Sequence, residues 1–205
     1  MKKLFITLLS IGSFFTAFSQ EKGSFEFGIA AGLNTSTVQS GTVTNSGTRI
    51  GFNAGAFGDY FLSDRWSIKV KLAYDQKGWD DGFINDLESG ISTKTNYQLD
   101  YLTIPVMANW HFGKTRNWYL NFGPYAGILL NAKETALNMD LKEFMQKTDI
   151  GLTLGIGIKI PVSDRIKIMI ETDGQGGFTD IFENNEGSRV QNTRFSLNTG
   201  LVFAL

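Results

Sequence analysis

Trp66-Ser67-Ile68-Lys69-Val70-Lys71-Leu72-Ala73-Tyr74-Asp75 decides the fold. Trp66, Ile68, Val70, Leu72 and Tyr74 fall on one face, and Ser67, Lys69, Lys71, Ala73 and Asp75 on the other. A period of two is the signature of a strand, because successive side chains point to opposite sides of the pleat. The same alternation runs over 148–160, where Ile150, Leu152, Leu154, Ile156, Ile158 and Ile160 oppose Asp149, Gly151, Thr153, Gly155, Gly157 and Lys159. It returns over 194–205, with Phe195, Leu197, Leu201, Phe203 and Leu205 opposite Arg194, Ser196, Asn198 and Gly200. Looser alternation covers 24–34, 48–62, 97–112, 118–131 and 165–176, which makes eight strands.

Most of these strands reach the length of about nine to eleven residues that a tilted membrane crossing needs; strands of soluble domains average about five or six. Ser63-Asp64-Arg65, Gly113–Asn117 and Pro161–Asp164 read as tight turns. Longer polar links fill 35–47, 77–96, 132–147 and 177–190, with a short surface helix expected inside 132–147 around Glu134, Met139, Leu141 and Phe144. Short connections at one end and long ones at the other fit an outer-membrane barrel with periplasmic turns and external loops.

The start of the chain agrees. Met1-Lys2-Lys3, an apolar run from Leu4 to Phe15 and Ala17-Phe18-Ser19 form a secretory signal over 1–19, leaving 20–205 as the barrel domain. Loss of Lys2 and Lys3 takes the 19 basic residues to 17 against 20 acidic ones, a net charge of -3. That balance offers no field for nucleic acid. With no Cys and a single His, His111, disulfides, thiolate chemistry and multi-histidine zinc sites are excluded. No cofactor or metal is expected.

A soluble barrel of lipocalin type would turn the apolar faces inward. Three features favour the inverted arrangement. The non-apolar face is rich in Gly (Gly28, Gly32, Gly51, Gly55, Gly123, Gly127, Gly151, Gly155, Gly157), as a crowded narrow interior requires. Tyr60, Trp66, Trp110, Trp118 and Phe203 gather beside the short turns as an aromatic girdle. In hydrocarbon every strand edge must be paired, and an even up-and-down closure achieves that. The expected fold is therefore an all-β, eight-stranded antiparallel transmembrane barrel.

Two segments carry a family resemblance: Tyr101-Leu102-Thr103-Ile104-Pro105-Val106 and, after a tight turn, Gly123-Pro124-Tyr125-Ala126-Gly127-Ile128-Leu129-Leu130. With a signal ending in Ser19-Gln20, they resemble the PorT-like outer-membrane β-barrel proteins of Bacteroidetes over essentially the whole mature chain. The resemblance implies an eight-stranded outer-membrane barrel and is nearly silent about activity. That family's aromatic last residue is replaced by Leu205, with Phe203 two positions earlier, so recognition by the barrel-assembly machinery is implied through a weaker signal. Pro105 and Pro124, unable to donate a ladder hydrogen bond, are expected at one shared irregularity of neighbouring strands.

Function is less legible. The inward face offers opposite charges that should pair and plug the lumen: Lys69, Lys71, Lys159, Lys167 and Arg194 with Asp59, Asp75, Glu171 and Asp173, joined by Arg165 and Asp100. His111 is the sole histidine base, expected at the inner end with Tyr119 and Asn121 satisfying its ring, which reads as structural rather than catalytic. Glu171-Thr172-Asp173-Gly174-Gln175-Gly176-Gly177 looks metal-like but departs from the calcium-loop spacing, and reads as turn residues entering a loop. Asp80-Asp81 reads as a loop tip. Trp79, Phe83, Phe144 and Phe182, with Ile84 and Ile181, are the recognition candidates of the external links. The expectation is a monomeric scaffold amid outer-membrane lipids, binding an envelope or extracellular partner through its loops. A small porin or transport component and a lipid-acting enzyme are the alternatives.

Overall fold

The computed structural model describes residues 22–40, 46–84, 90 and 92–205, and the backbone of 85; the signal segment 1–19 lies outside them. Eight strands follow in chain order: β1 Phe25–Ser40, β2 Arg49–Phe61, β3 Trp66–Asn85, β4 Ser92–Phe112, β5 Trp118–Glu134, β6 Thr148–Pro161, β7 Ile166–Gly177 and β8 Val190–Ala204. Each pairs antiparallel with the next, and β1 closes on β8 from Glu26↔Ala204 to Ser40↔Val190. The ring therefore leaves no open edge, which is what hydrocarbon demands.

The period-two faces point as their chemistry requires. Leu33, Ile50 and Leu154 are 68%, 73% and 63% exposed on the outer wall, whereas Lys69, Lys159 and Asp59 are fully buried inside. On β3 the outward row Trp66, Ile68, Val70, Leu72 and Tyr74 spans eight residue steps. At about 3.3 Å per step and a tilt of about 40° this is a band roughly 20 Å tall. The narrow interior needs glycine where an inward ring leans across: a Cβ at Gly157 would strike the Tyr119 ring, and one at Gly28 the Phe57 ring.

The short turns at 62–65 and 162–165 share one device. Ser63 Oγ accepts from the backbone N–H groups of Arg65 and Trp66, and Ser163 Oγ from those of Arg165 and Ile166. Arg165 is thus exposed in a turn, not in the lumen where the sequence suggested it. Pro105 and Pro124 lie where pairing lapses: β3–β4 lapses between Val70↔Val106 and Ala73↔Thr103, and β4–β5 between Pro105↔Tyr125 and Ala108↔Phe122. The register does not change there. The shift sits higher, between Asp100 and Tyr101, where Leu130 is the extra residue of β5.

Other expectations need correction. The links assigned to 35–47 and 77–96 are strand over 35–40, 77–85 and 92–96, because β1 runs to Ser40 and the β3–β4 hairpin reaches Asn85 and Ser92. The hairpin thus carries the barrel wall well above the apolar band. Asp80 and Asp81 lie within β3 at a register shift between Trp79 and Gly82, Asp81 having φ 59°. The helix expected within 132–147 is absent. In its place Glu134 anchors a tight turn, and Leu141 and Met145 tuck into the mouth beside isolated bridges Lys133↔Asp140 and Met145↔Phe182. Glu171–Gly177 is strand, part of β7, rather than the entry to a loop.

Candidate functional site

The lumen is filled in layers. Near the short turns, Lys159 Nζ lies 2.5 Å from Glu26 and 2.7 Å from Asp59, and Lys167 takes the other Glu26 oxygen at 2.6 Å. Asn109 donates to Asp59 at 3.0 Å. Higher up, Lys69 meets Glu171 Oε2 at 2.6 Å, an oxygen that also accepts from the Tyr119 hydroxyl and the Asn121 amide at 2.7 Å each. Arg194 bridges Asp173 at 2.5 Å and Asp75 at 3.3 Å, while Ser196 and Asn198 donate to the second Asp173 oxygen. The uppermost buried ion pair is Lys77 on Asp149 at 2.9 Å, with Tyr125 and Asn192 donating to the same oxygen.

Six buried cations (Lys69, Lys71, Lys77, Lys159, Lys167, Arg194) therefore face six buried carboxylates of the lumen (Glu26, Asp59, Asp75, Asp149, Glu171, Asp173), a seventh buried one, Glu134, lying above them in the turn after β5. An isolated charge here would carry a desolvation penalty of several kcal/mol, so near-neutrality is a condition of the fold. Lys71 is the exception to direct pairing: it donates to Asn53 Oδ1 at 3.2 Å, with no carboxylate within 4 Å among the described residues. The cavity beside it, also lined by Asp75, Gln175 and Arg194, measures about 10 Å³, room for a single water.

The sequence named Lys69, Lys71, Lys159, Lys167, Arg194, Asp59, Asp75, Glu171 and Asp173, and all nine sit in this network. It missed Glu26, Lys77 and Asp149 as charge partners. Glu26 stands at a strand start and Lys77 in a segment read as a link. Asp149 was on the inward row, a signal sufficient to find it. Asp100 is not in the lumen; it faces outward and accepts from Asn131 at 3.2 Å. His111 meets Ser67 Oγ at 2.9 Å rather than Tyr119 or Asn121, whose polar groups go to Glu171. Both Ser67 and His111 are buried, and His111 Nδ1 has no hydrogen-bond partner among the described residues.

Outside, Tyr60, Trp66, Trp110 and Trp118 are exposed beside the short turns, with Phe203 half-buried. Trp66 pairs with Trp110 across β3–β4, and Trp110 stacks on Phe112 at 5.3 Å.

Above the charges lies an apolar cap of Val38, Trp79, Tyr97, Leu99, Tyr101, Leu129, Ala132, Leu141, Met145 and Ile181. The two loops that follow β5 and β7 are joined across it: Gln146 N–H donates to Ile181 O at 2.8 Å, and Glu183 N–H to Phe144 O at 3.0 Å. Under this lid edge opens a cleft of about 350 Å³, walled by Val38, Trp79, Phe83, Tyr97, Phe182 and Val190 and edged by Ser46, Asp81 and Gly82. Three of the four recognition candidates thus converge: Trp79, stacked on Tyr97 at 4.2 Å; Phe182, edge-on to Trp79 at 6.3 Å; and Phe83 at the rim. Trp79 is buried within a strand rather than displayed on a loop. Phe144 stands apart, exposed on the lid, and Ile181 is buried in the cap.

Glu134, beyond the last apolar outward residue of β5, Leu130, closes the turn after that strand. Its carboxylate accepts from Thr95 Oγ1 at 2.6 Å and from the backbone N–H groups of Ala136, Leu137 and Met139. Burial alone would raise its pKa, but these donors hold it below the ordinary carboxylate value.

Comparison with solved structures gives the same architecture. OprG from Pseudomonas aeruginosa superimposes with a TM-score of 0.55 at 10% identity, covering 91% of this chain and 98% of that one. Neisserial surface protein A gives 0.50 at 16% identity, covering 85% and 95%. The outer membrane protein AlkL gives 0.50 at 13% identity, covering 93% and 94%. No curated protein sequence matches the chain. The family described as "Outer membrane protein beta-barrel domain" matches residues 18–183. With its apolar outer band, paired interior charges and closed ring of eight strands, the chain belongs to the outer membrane protein beta-barrel domain family and resides in the outer membrane.

Proposed function

We propose that this protein is a closed scaffold whose work is done at its external mouth, by recognition rather than by conduction or catalysis. The observation that carries the reading is the filled interior: buried ion pairs span the axis, the cavity beside Lys71 measures about 10 Å³, and a lid of two hydrogen-bonded loops covers them. An eight-stranded barrel has room for side chains, not for an aqueous channel. Catalysis finds little support in the Ser67–His111 pair, which is buried and lacks an orienting acid on Nδ1. The PorT-like grouping within the family rests on the Tyr101–Val106 and Gly123–Leu130 motifs. In this reading outer-membrane lipids surround the belt of a monomer, and the barrel-assembly machinery acts on β8 and the adjoining Leu205.

Planar-bilayer recording of the folded wild-type protein tests the proposal. Silence at steady voltage is expected, and reproducible large conductance steps would overturn it. A second arm uses intact cells and crosslinking. Replacing 136–144 and 182–188 with short Gly-Ser links should leave a folded barrel that no longer captures its external partner.

A further inference from the structure

We infer that the aromatic cleft at the mouth is a preformed site for one small, planar, uncharged molecule bearing a hydrogen-bond acceptor; the inference rests on the recognition reading above and gives it a ligand class. At about 350 Å³ the cleft falls in the size range of small-molecule pockets. A stable protein contact needs about 800 Å² on each partner, far more than this opening presents.

The walls favour a flat occupant. Trp79 and Tyr97 lie nearly parallel, 12° apart, and Phe182 stands at 80° to Trp79. That stacked pair forms the buried floor, and the less buried Phe83 and Phe182 offer an incoming ring the face and edge contacts aromatic groups prefer. Gly82 lets the β3 backbone pack directly on this pair, since a Cβ there would press on the Tyr97 ring and the Trp79 indole nitrogen. Among the described residues no acceptor takes the Trp79 indole N–H, and its nitrogen is not among the sealed unpartnered atoms, so that donor stays open to the occupant.

Charge at the rim selects against ions. Asp80 faces Arg49 at 3.7 Å and Asp81 faces Lys94 at 2.7 Å, so each acid beside the opening is matched. A lipid tail is not the occupant, because the neighbouring outward residues Asn96, Gln98 and Asp100 place this level above the apolar belt.

The site is rigid before anything binds. Tyr97 donates its hydroxyl to Phe83 O at 2.8 Å, Phe182 N–H donates to Asp180 at 3.1 Å, and Val38, Trp79 and Tyr97 belong to the packed cap. Little ordering cost remains to be met on binding.

The test uses fluorine NMR of a fluoroquinoline, whose ring nitrogen is the acceptor, titrated against the full protein in lipid nanodiscs. A saturable shift is expected with wild type. Val190→Trp, which fills the cleft, and Phe182→Ala, which removes the edge contact, should each weaken it about tenfold or more. The N-methylated quinolinium cation, lacking both the acceptor and neutrality, should bind at least about tenfold more weakly than its parent. Non-saturable partition equal in wild type and both variants would overturn the assignment, as would a preference for the cation. Should one variant fail to fold, the other together with the cation comparison still decides. A conducting wild type would sink the recognition reading; a closed barrel without saturable binding would sink only the cleft.

Discussion

Below Leu102, β4 turns Ile104, Val106 and Trp110 outward and Thr103, Asn109 and His111 inward; above it the same strand turns Gln98 and Asp100 outward and Leu99 and Tyr101 inward. β5 does likewise, with Leu120 and Phe122 out and Asn121 in below, and Lys133 out with Leu129 and Ala132 in above. One ring of strands therefore contains two barrels of opposite polarity. The lower one is turned out towards hydrocarbon and filled with ion pairs. The upper one is built like a soluble barrel, greasy inside and wet outside. The pleat fixes which residues share a face, but the surroundings fix which face is apolar. The two levels are thus vulnerable in different ways: below, to a charge left without its partner; above, to lost burial of apolar area.

Removing one charge from the lower zone should give the largest effect. Lys159→Met leaves Asp59 without a cation, while Glu26 keeps Lys167. The expected loss is about 3–5 kcal/mol in urea unfolding from vesicles. Adding Asp59→Asn should restore much of it. Lys94→Met removes an equivalent ammonium from the upper zone, where Lys94 and Asp81 are both more than half exposed, and should cost less than about 1 kcal/mol. Similar losses from the two lysines would mean that the division into zones is false.

This division also explains what could be read in advance. Eight strands, their order and the inward row of charges follow from the parity of segments such as 66–75 and 148–160, where polarity and parity agree. The upper strands were concealed because polarity reverses there. Tyr97, Leu99 and Tyr101 are inward beside outward Gln98 and Asp100, and a rule that sends charge to the axis misplaces Asp100. Lys77 and Trp79 were hidden in the same way, since 77–96 looks like a polar link when its apolar side chains are assumed to be loop decoration. The cleft could not be read at all: it joins Val38, Trp79, Tyr97, Phe182 and Val190, residues up to 152 positions apart (190 minus 38), through a lid whose own sequence suggested a helix.

Identical substitutions at the two levels sharpen the contrast at an intermediate size. Leu154→Arg puts a cation on the outer wall within the belt and should cost about 2–4 kcal/mol near the midplane. Gln98→Arg puts the same group on the outer wall above the belt and should be close to neutral. Both are read as shifts of the urea midpoint at unchanged slope. Equal shifts would indicate that the hydrocarbon boundary does not pass between these two levels.

The smallest effect is confined to the upper zone and depends on pH. Because the donors around Glu134 hold its carboxyl below the ordinary value of 4.5, the ionised form is the one the folded turn prefers. Its contribution is complete above that value and disappears as pH falls through the lower folded-state pKa. Amide exchange at 135–139, corrected for the intrinsic pH dependence, should therefore show easier local opening as pH falls below about 4.5, while the lower strands stay protected. Glu134→Gln should flatten that dependence and loosen the turn at neutral pH by about 1–1.5 kcal/mol, the difference between a hydrogen bond to a charged acceptor and one to a neutral acceptor. Since Leu141 and Met145 hang from this turn into the cap, its loosening should also release the part of the lid that Met145 bridges to Phe182. A turn that opened equally at every pH would mean that packing of Leu141 and Met145, rather than the carboxylate, holds the upper barrel shut.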